Sequence, residues 1–292
     1  MARWLEMVQG TERCLWCDAT FEGNMGWGWV LGIAQTTHLC GICSGQLQRI
    51  QELTCKECGR PRVGELSVEK GIEVGKNNVG GKKNADIGSG SKETTSSFPE
   101  KKKLGVCSDC QRWKEIEPWN SLSFQHRALY VYNEFLQEVM ARLKYRGDVQ
   151  LAKLFTDDLR KLGRKSFGHF DYVVPIPLKG SRHWERGFNQ AEALAGGFGQ
   201  VKELLERVSM SDGKQSKRGR VERIESLKGA FRVKDGGVEL KGKRVLIVDD
   251  IYTTGATIRS AAAELYGGGA AEVCAVTVAR GIGKKAAESL KT

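Results

Sequence analysis

The stretch that decides the fold is VLIVDDIYTTGAT, residues 245–257. Its four leading apolar residues, Val245 to Val248, form a run of the kind that buries a central strand of a parallel sheet. Asp249 and Asp250 then fall at the C-terminal end of that strand, the edge at which open α/β sheets bind ligands. The residues that follow, Thr253, Thr254, Gly255, Ala256 and Thr257, read as a tight turn that opens a helix. The backbone N–H groups and hydroxyls of such a turn can wrap a phosphate. Two adjacent carboxylates beside a phosphate cradle suit a ribose diol and a divalent cation. Acids that merely end a strand, with threonines that merely cap a helix, would account for one acid and one threonine but not for the ordered string.

Outward from this segment, short apolar strands alternate with helices. Residues 171–177 (DYVVPIP) read as a strand running into a proline-rich turn, 189–200 as a helix, and 201–208 as a segment with a short strand near its end. Residues 255–266 (GATIRSAAAELY) read as a helix stopped by three glycines, and 271–279 (AEVCAVTVA) as a second buried strand. The alternation predicts an α/β domain, a parallel sheet flanked by helices. Upstream, Phe135, Val139 and Leu143 lie four apart with Leu136 and Met140 beside them, which predicts one face of a helix. Gly147 caps it within the basic turn LKYRGD, a secondary candidate for contact with substrate or DNA. A further helix is predicted to carry Leu151, Leu154, Phe155, Leu159 and Leu162.

The N-terminal part has a different chemistry. Eight of nine cysteines form four C-x-x-C pairs: Cys14/Cys17, Cys40/Cys43, Cys55/Cys58 and Cys107/Cys110. Each such turn points two thiolates at one place, and two turns complete a tetrahedral zinc site. A disulfide framework would need an oxidising compartment. The leading stretch MARWLEMVQGTERC has no apolar core of a secretory leader, so a cytoplasmic, zinc-bound reading with two structural ions is expected. Sequential pairing spans 22 and 48 residues between knuckles; interleaved pairing is the alternative. The longer gap holds residues 64–105, rich in Gly, Ser, Asn and Lys, which read as a disordered insertion. Cys274 lies in an apolar run and is expected to be a small buried hydrophobe.

The chain has 292 residues, 40 % apolar and 28 % charged, which fits two soluble domains. The expected division is a cysteine-rich zinc-ribbon domain over residues 1–118 and an α/β domain over 119–292. The longest apolar stretch, 26–34, is far short of the ~20 residues a membrane-spanning helix needs, so no membrane insertion is expected. With 46 Lys and Arg against 35 acids, the charge of +11 favours anionic partners such as phosphates or nucleic acid. Trp16, Trp27, Trp29 and Trp113 offer either stacking surfaces for bases or packing for a small core.

VLIVDDIYTTGAT closely resembles the phosphoribosyl pyrophosphate (PRPP) signature of type I phosphoribosyltransferases. Residues 175–190, PIPLKGSRHWERGFNQ, resemble the pyrophosphate loop of one branch, the ComF/GntX family. The four cysteine knuckles, the KYRGD turn and the order of the parts match that family over nearly the whole chain outside 64–105. The resemblance implies that Asp249 and Asp250 hold the ribose hydroxyls of PRPP and that Thr253 to Thr257 hold its 5′-phosphate. It also implies that Lys179, Arg182 and Arg186 face pyrophosphate, with Mg²⁺ accompanying the ligand. A lid is implied between the motifs, in which Gln215, Arg223 and Phe231 fall at matching offsets, while Arg218 and Ser226 depart from the family pattern. The implied role is PRPP binding in natural competence, on or near internalised single-stranded DNA and alongside other competence proteins. The alternatives are a metabolic phosphoribosyltransferase acting on a base or small amine, and a non-catalytic PRPP-responsive module; the acceptor is not legible.

Overall fold

The structure is a computed structural model that describes residues 11–22, 38–62, 104–208, 229–235 and 238–282. The apolar stretch 26–34, most of the 64–105 insertion, and the lid residues Gln215 and Arg223 lie outside the described residues.

In chain order the elements begin with a small hairpin, β1 (Thr11–Arg13) and β2 (Thr20–Glu22), then α1 (Gly41–Ser44) and α2 (Ser108–Lys114). Next come β3 (Gln125–Val131), α3 (Glu134–Tyr145), a 3-10 turn at Val149–Leu154 and α4 (Thr156–Phe167). After these follow β4 (Tyr172–Pro175), α5 (Gly180–Arg186), α6 (Gln190–Ala195), β5 (Leu205–Arg207) and β6 (Phe231–Val233). The chain continues into β7 (Arg244–Tyr252), α7 (Ala256–Gly267) and β8 (Glu272–Arg280). The main sheet has the order β3-β8-β7-β4, all parallel, with β5 and β6 as a separate antiparallel pair.

Both central strands, β7 and β8, are buried along nearly their whole length, as their continuous apolar runs require. Leu246 and Val248 face one core, with α3, α4 and the 3-10 turn; Val245 and Ile247 face the other, with α7. Each cysteine-rich segment joins a different core. Cys14, Cys40 and Cys43 pack with Phe135 and Val139 on one face, and Cys55, Cys58 and Cys110 pack with Trp113 and Trp119 on the other.

Arg259 of α7 fixes the second of these junctions. It is 2 % exposed and lies within 4.5–5.1 Å of the rings of Phe124, Trp119 and Trp113. Its Nη2 sits 3.6 Å from Glu57 Oε2 and 3.7 Å from Cys110 Sγ. A buried guanidinium is tolerable only with such anionic and π partners. Gly59, in the same cysteine loop, has φ +59°, and a Cβ there would stand 2.6 Å from the His126 carbonyl of β3.

The structure adds one strand to the sequence expectations, corrects two helices and decides one open choice. β3 was not foreseen. The helix expected across 151–162 is divided at Phe155 into a 3-10 turn and α4. The helix expected over 189–200 stops at Ala195, where Gly196 and Gly197 follow. Trp113 is 3 % exposed and offers no face for a base.

Replacing Arg259 with Met, which keeps most of its length, should destabilise the fold by about 2 kcal/mol by taking the cation out of the aromatic cage, while Glu57 keeps its ion pair with Lys114. Denaturant titration checks this; an unchanged midpoint and slope would contradict it.

Candidate functional site

The site is built at the C-terminal end of β7. Asp249 and Asp250 are 7 % and 6 % exposed, and Asp249 Oδ1 accepts the backbone N–H of Asp250 at 2.9 Å. Asp250 Oδ2 forms an ion pair with Lys144 Nζ from the last turn of α3, without an aligned hydrogen bond to that oxygen. Burial alone would depress the Lys144 ammonium, but the charge of Asp250 outweighs it and holds the group above its ordinary range. Burial, reinforced by the charge of Asp250, pushes the Asp249 carboxyl up to about 8; Lys144 and Arg207 act in the opposite direction. A buried carboxylate pair at the C-terminal end of a central strand fits a ribose diol or a cation.

The turn after β7 is held from behind. Arg280, the last residue of β8, donates from Nη1 to the carbonyls of Thr253 at 2.9 Å and Tyr252 at 3.4 Å, and also to that of Gly281. Trp113 Nε1 donates to the Thr254 carbonyl at 3.1 Å. Three successive carbonyls are thus drawn to one side. Gly255 adopts φ +83°, and a Cβ there would run into the Tyr252 ring. Helix α7 then starts with no acid in its first turn, and its leading N–H groups carry the positive end of the dipole. Thr254 Oγ1 accepts the Ala256 N–H at 3.4 Å, while Thr253 is exposed and Thr257 half-buried. This arrangement can receive a phosphate.

The basic loop lies between β4 and α6. Asn189 is 3 % exposed and accepts the Ala191 N–H while donating to the Ile176 carbonyl and to Glu192 Oε1, which closes the loop on itself. Arg186 Nη1 donates to Gln190 Oε1 at 3.1 Å, and its guanidinium lies 5.2 Å from the Tyr145 ring. Lys179 stands at the N-cap of α5, and Arg182 is exposed on that helix. Arg182 and Asp249 both act electrostatically on Arg207, which joins this loop to the carboxylates. Lys144, Arg207, Arg280 and Asn189 are the residues that sequence reasoning missed. Lys144 and Asn189 had a signal, their places in the basic LKYRGD turn and in the stretch PIPLKGSRHWERGFNQ.

The eight paired cysteines form two groups in the sequential arrangement, Cys14/Cys17/Cys40/Cys43 and Cys55/Cys58/Cys107/Cys110, with all sulfurs of a group within 4.8 Å of one another. Three sulfur pairs stand 3.6, 3.7 and 3.8 Å apart, much too long for disulfides. Four thiolates at Zn–S bonds of about 2.3 Å around a tetrahedral ion are spaced by about 3.8 Å. The donor set therefore fits zinc at both places. The second group also touches the support of the turn after β7, because Arg280 Nη2 lies 3.5 Å from Cys58 Sγ. Cys274 belongs to neither group; it is buried in β8, and burial first, with Glu272, pushes its thiol up to about 12.

Comparison with known proteins bears on this geometry. The phosphoribosyl transferase domain family matches residues 185–291. Competence protein ComFC of Bacillus subtilis is 31 % identical over 91 % of this chain and 94 % of its own. The chain belongs to the ComFC family. Competence protein ComFC of Streptococcus pneumoniae is 29 % identical over 92 % of this chain and 100 % of its own. DNA utilization protein YhgH of Salmonella typhi is 35 % identical over 35 % of this chain and 46 % of its own. Thus the parallel sheet that carries Asp249 and Asp250 is the phosphoribosyl transferase domain of a ComFC family member, preceded by two four-cysteine groups. No helix among the described residues is long and apolar enough to cross a membrane.

Asp249 binds its proton more tightly in the folded chain than in the unfolded one. Its contribution to stability is therefore complete below the ordinary carboxylate pKa of 3.8 and is lost as pH rises through about 8. Asp249→Asn should raise the thermal midpoint by a few degrees at about pH 9 and change it little at about pH 4. Thermal scans across that range check the sign; a loss of stability at high pH would contradict it.

Proposed function

We propose that this chain binds PRPP and serves the handling of internalised single-stranded DNA during natural competence, in the cytoplasm. The observation that carries the reading is the turn from Thr253 to Thr257. Its preceding carbonyls are engaged from behind, and it lies beside two buried carboxylates at a strand end. In this reading Asp249 and Asp250 accept the ribose hydroxyls, and Thr253, Thr254, Gly255, Ala256 and Thr257 surround the 5′-phosphate. Lys179, Arg182 and Arg186 stand on the pyrophosphate side, and guanidinium forks suit its oxygens. Gln215 and Arg223 belong to a lid over the ligand. The eight cysteines hold two structural zinc ions.

Lys144 has a part in the same reading. It balances the charge of Asp250 before ligand arrives, and that acid keeps its place at the site through it. Mg²⁺, when bound with PRPP, supplies charge neutralisation to the departing pyrophosphate. The protein's own contribution is positional: the carboxylates fix the ribose, the turn fixes the phosphate, and the cations of the loop stabilise negative charge that develops on the leaving group. The competence assignment is supported by family membership and by the names of the relatives.

Calorimetry with PRPP and Mg²⁺ tests the site. Changing Asp249 and Asp250 together to Asn keeps their size and removes the charge of Asp250 together with the charge Asp249 takes on when a cation or ligand displaces its proton. Each hydrogen bond to a charged group contributes about 1.5–3 kcal/mol, so PRPP binding should weaken by about two orders of magnitude or more. Arg280→Met should weaken it by about tenfold, by releasing the carbonyls of the turn. Unchanged affinity in the double variant would defeat the phosphoribosyl reading.

A further inference from the structure

Two large aromatic side chains stand in solvent among the described residues, Trp184 at 90 % exposure and Tyr145 at 76 %. An exposed ring beside cationic side chains supplies a π face on which an unpaired base can stack. Both lie at the basic loop. Tyr145 ends α3, one residue after Lys144, and Arg186 of α5 stacks on its ring at 5.2 Å. Arg182 and Arg186 are four apart and share one side of α5, while Trp184, two positions from each, projects from the other side. The single acid between them, Glu185, leaves the helix basic. The result is a cationic ridge with an aromatic platform on each flank. It is continuous with the candidate site, because Arg186 lies on the Tyr145 ring and the preceding residue, Lys144, pairs with Asp250.

We infer that this ridge is a docking surface for single-stranded nucleic acid, with bases stacking on Trp184 and Tyr145 and the backbone phosphates lying against Arg182 and Arg186. The chemistry is that of single-strand binding without sequence preference: π faces accept any base, and guanidinium groups follow the phosphates. A folded duplex hides its base faces, so the platforms select an unpaired strand. Among the described residues, the tryptophans of the cysteine-rich part do not provide this: Trp113 is buried, and Trp16 is partly buried against Phe135 and beneath Arg142. The inference rests on the proposed function and places its nucleic acid at the mouth of the PRPP site rather than on the cysteine-rich segment.

The test uses the full chain, a fluorescein-labelled oligothymidylate of about 15 nucleotides, and a matched abasic strand. Trp184→Ala should weaken binding of the oligothymidylate by about tenfold, within the range of one lost stacking contact. Trp184→Phe should keep affinity within about threefold, because a ring remains. The slope of affinity against salt should be the same for both variants and the parent, since tryptophan carries no charge. The abasic strand should bind the parent and Trp184→Ala equally. PRPP affinity and zinc content should be unchanged in both variants. Equal binding of the oligothymidylate by Trp184→Ala and the parent would overturn the surface while leaving the proposed function standing. Loss of PRPP binding in the same variant would also overturn it, by showing a structural role. A parent chain that binds PRPP but no oligonucleotide would remove the nucleic-acid part of the proposed function together with this surface.

Discussion

Three backbone carbonyls, those of Tyr252, Thr253 and Thr254, decide what the end of β7 can do. A turn that presents N–H groups to an anion must send its carbonyls elsewhere, and a buried carbonyl without a donor is costly. Here the donors are Arg280 and the Gly281 N–H at the end of the neighbouring strand, and Trp113 from the helix of the last cysteine knuckle. Arg280 is itself held by the Cys58 carbonyl and thiol. The turn after β7 is therefore braced by the second cysteine group, and this gives a physical reason for a cysteine-rich segment to sit on a phosphoribosyl transferase sheet. His126 completes the brace: it stacks on Tyr252 at 4.1 Å and bonds to the Cys58 carbonyl and Thr277.

A second constraint is charge. Two adjacent carboxylates in a buried position repel each other and lose hydration. Lys144 offsets one of them, and Arg207 acts on the other. These two cations come from α3 and β5, far apart in the chain, so the ends of several elements converge on one pair of acids. The site holds its anionic groups together at a cost in stability that a bound ligand or cation offsets, a common trade at functional sites.

Much of this was legible in the sequence, for reasons that differ between residues. β7 and β8 announce themselves by unbroken apolar runs, and Asp249, Asp250 and Gly255 by their order after such a run. The four C-x-x-C pairs require a metal or a bridge whatever the fold. The strand β3 was hidden because Gln125, His126 and Arg127 look like surface residues. In the fold His126 is fully buried between Cys58 and Thr277. The α4 boundary was blurred because Leu151, Phe155 and Leu159 all reach one core whether the backbone there is 3-10 or α. Helix α6 was read too long because its apolar pattern runs past the Gly196-Gly197 pair that stops it. Lys144, Arg207 and Arg280 could not be assigned from sequence, since each acquires its role through a partner from another element.

The central claim is that the braced turn is the phosphate cradle and the adjacent acids are the ribose clamp. A crystal structure of the full chain with PRPP and Mg²⁺ bound tests it most directly. The account predicts the 5′-phosphate within hydrogen-bond distance of the N–H groups between Thr254 and Thr257, and the ribose hydroxyls on Asp249 and Asp250. The Arg280 and Trp113 bonds to the carbonyls should remain in place. PRPP lodged elsewhere, or bound only after those carbonyls turn toward it, would contradict the account.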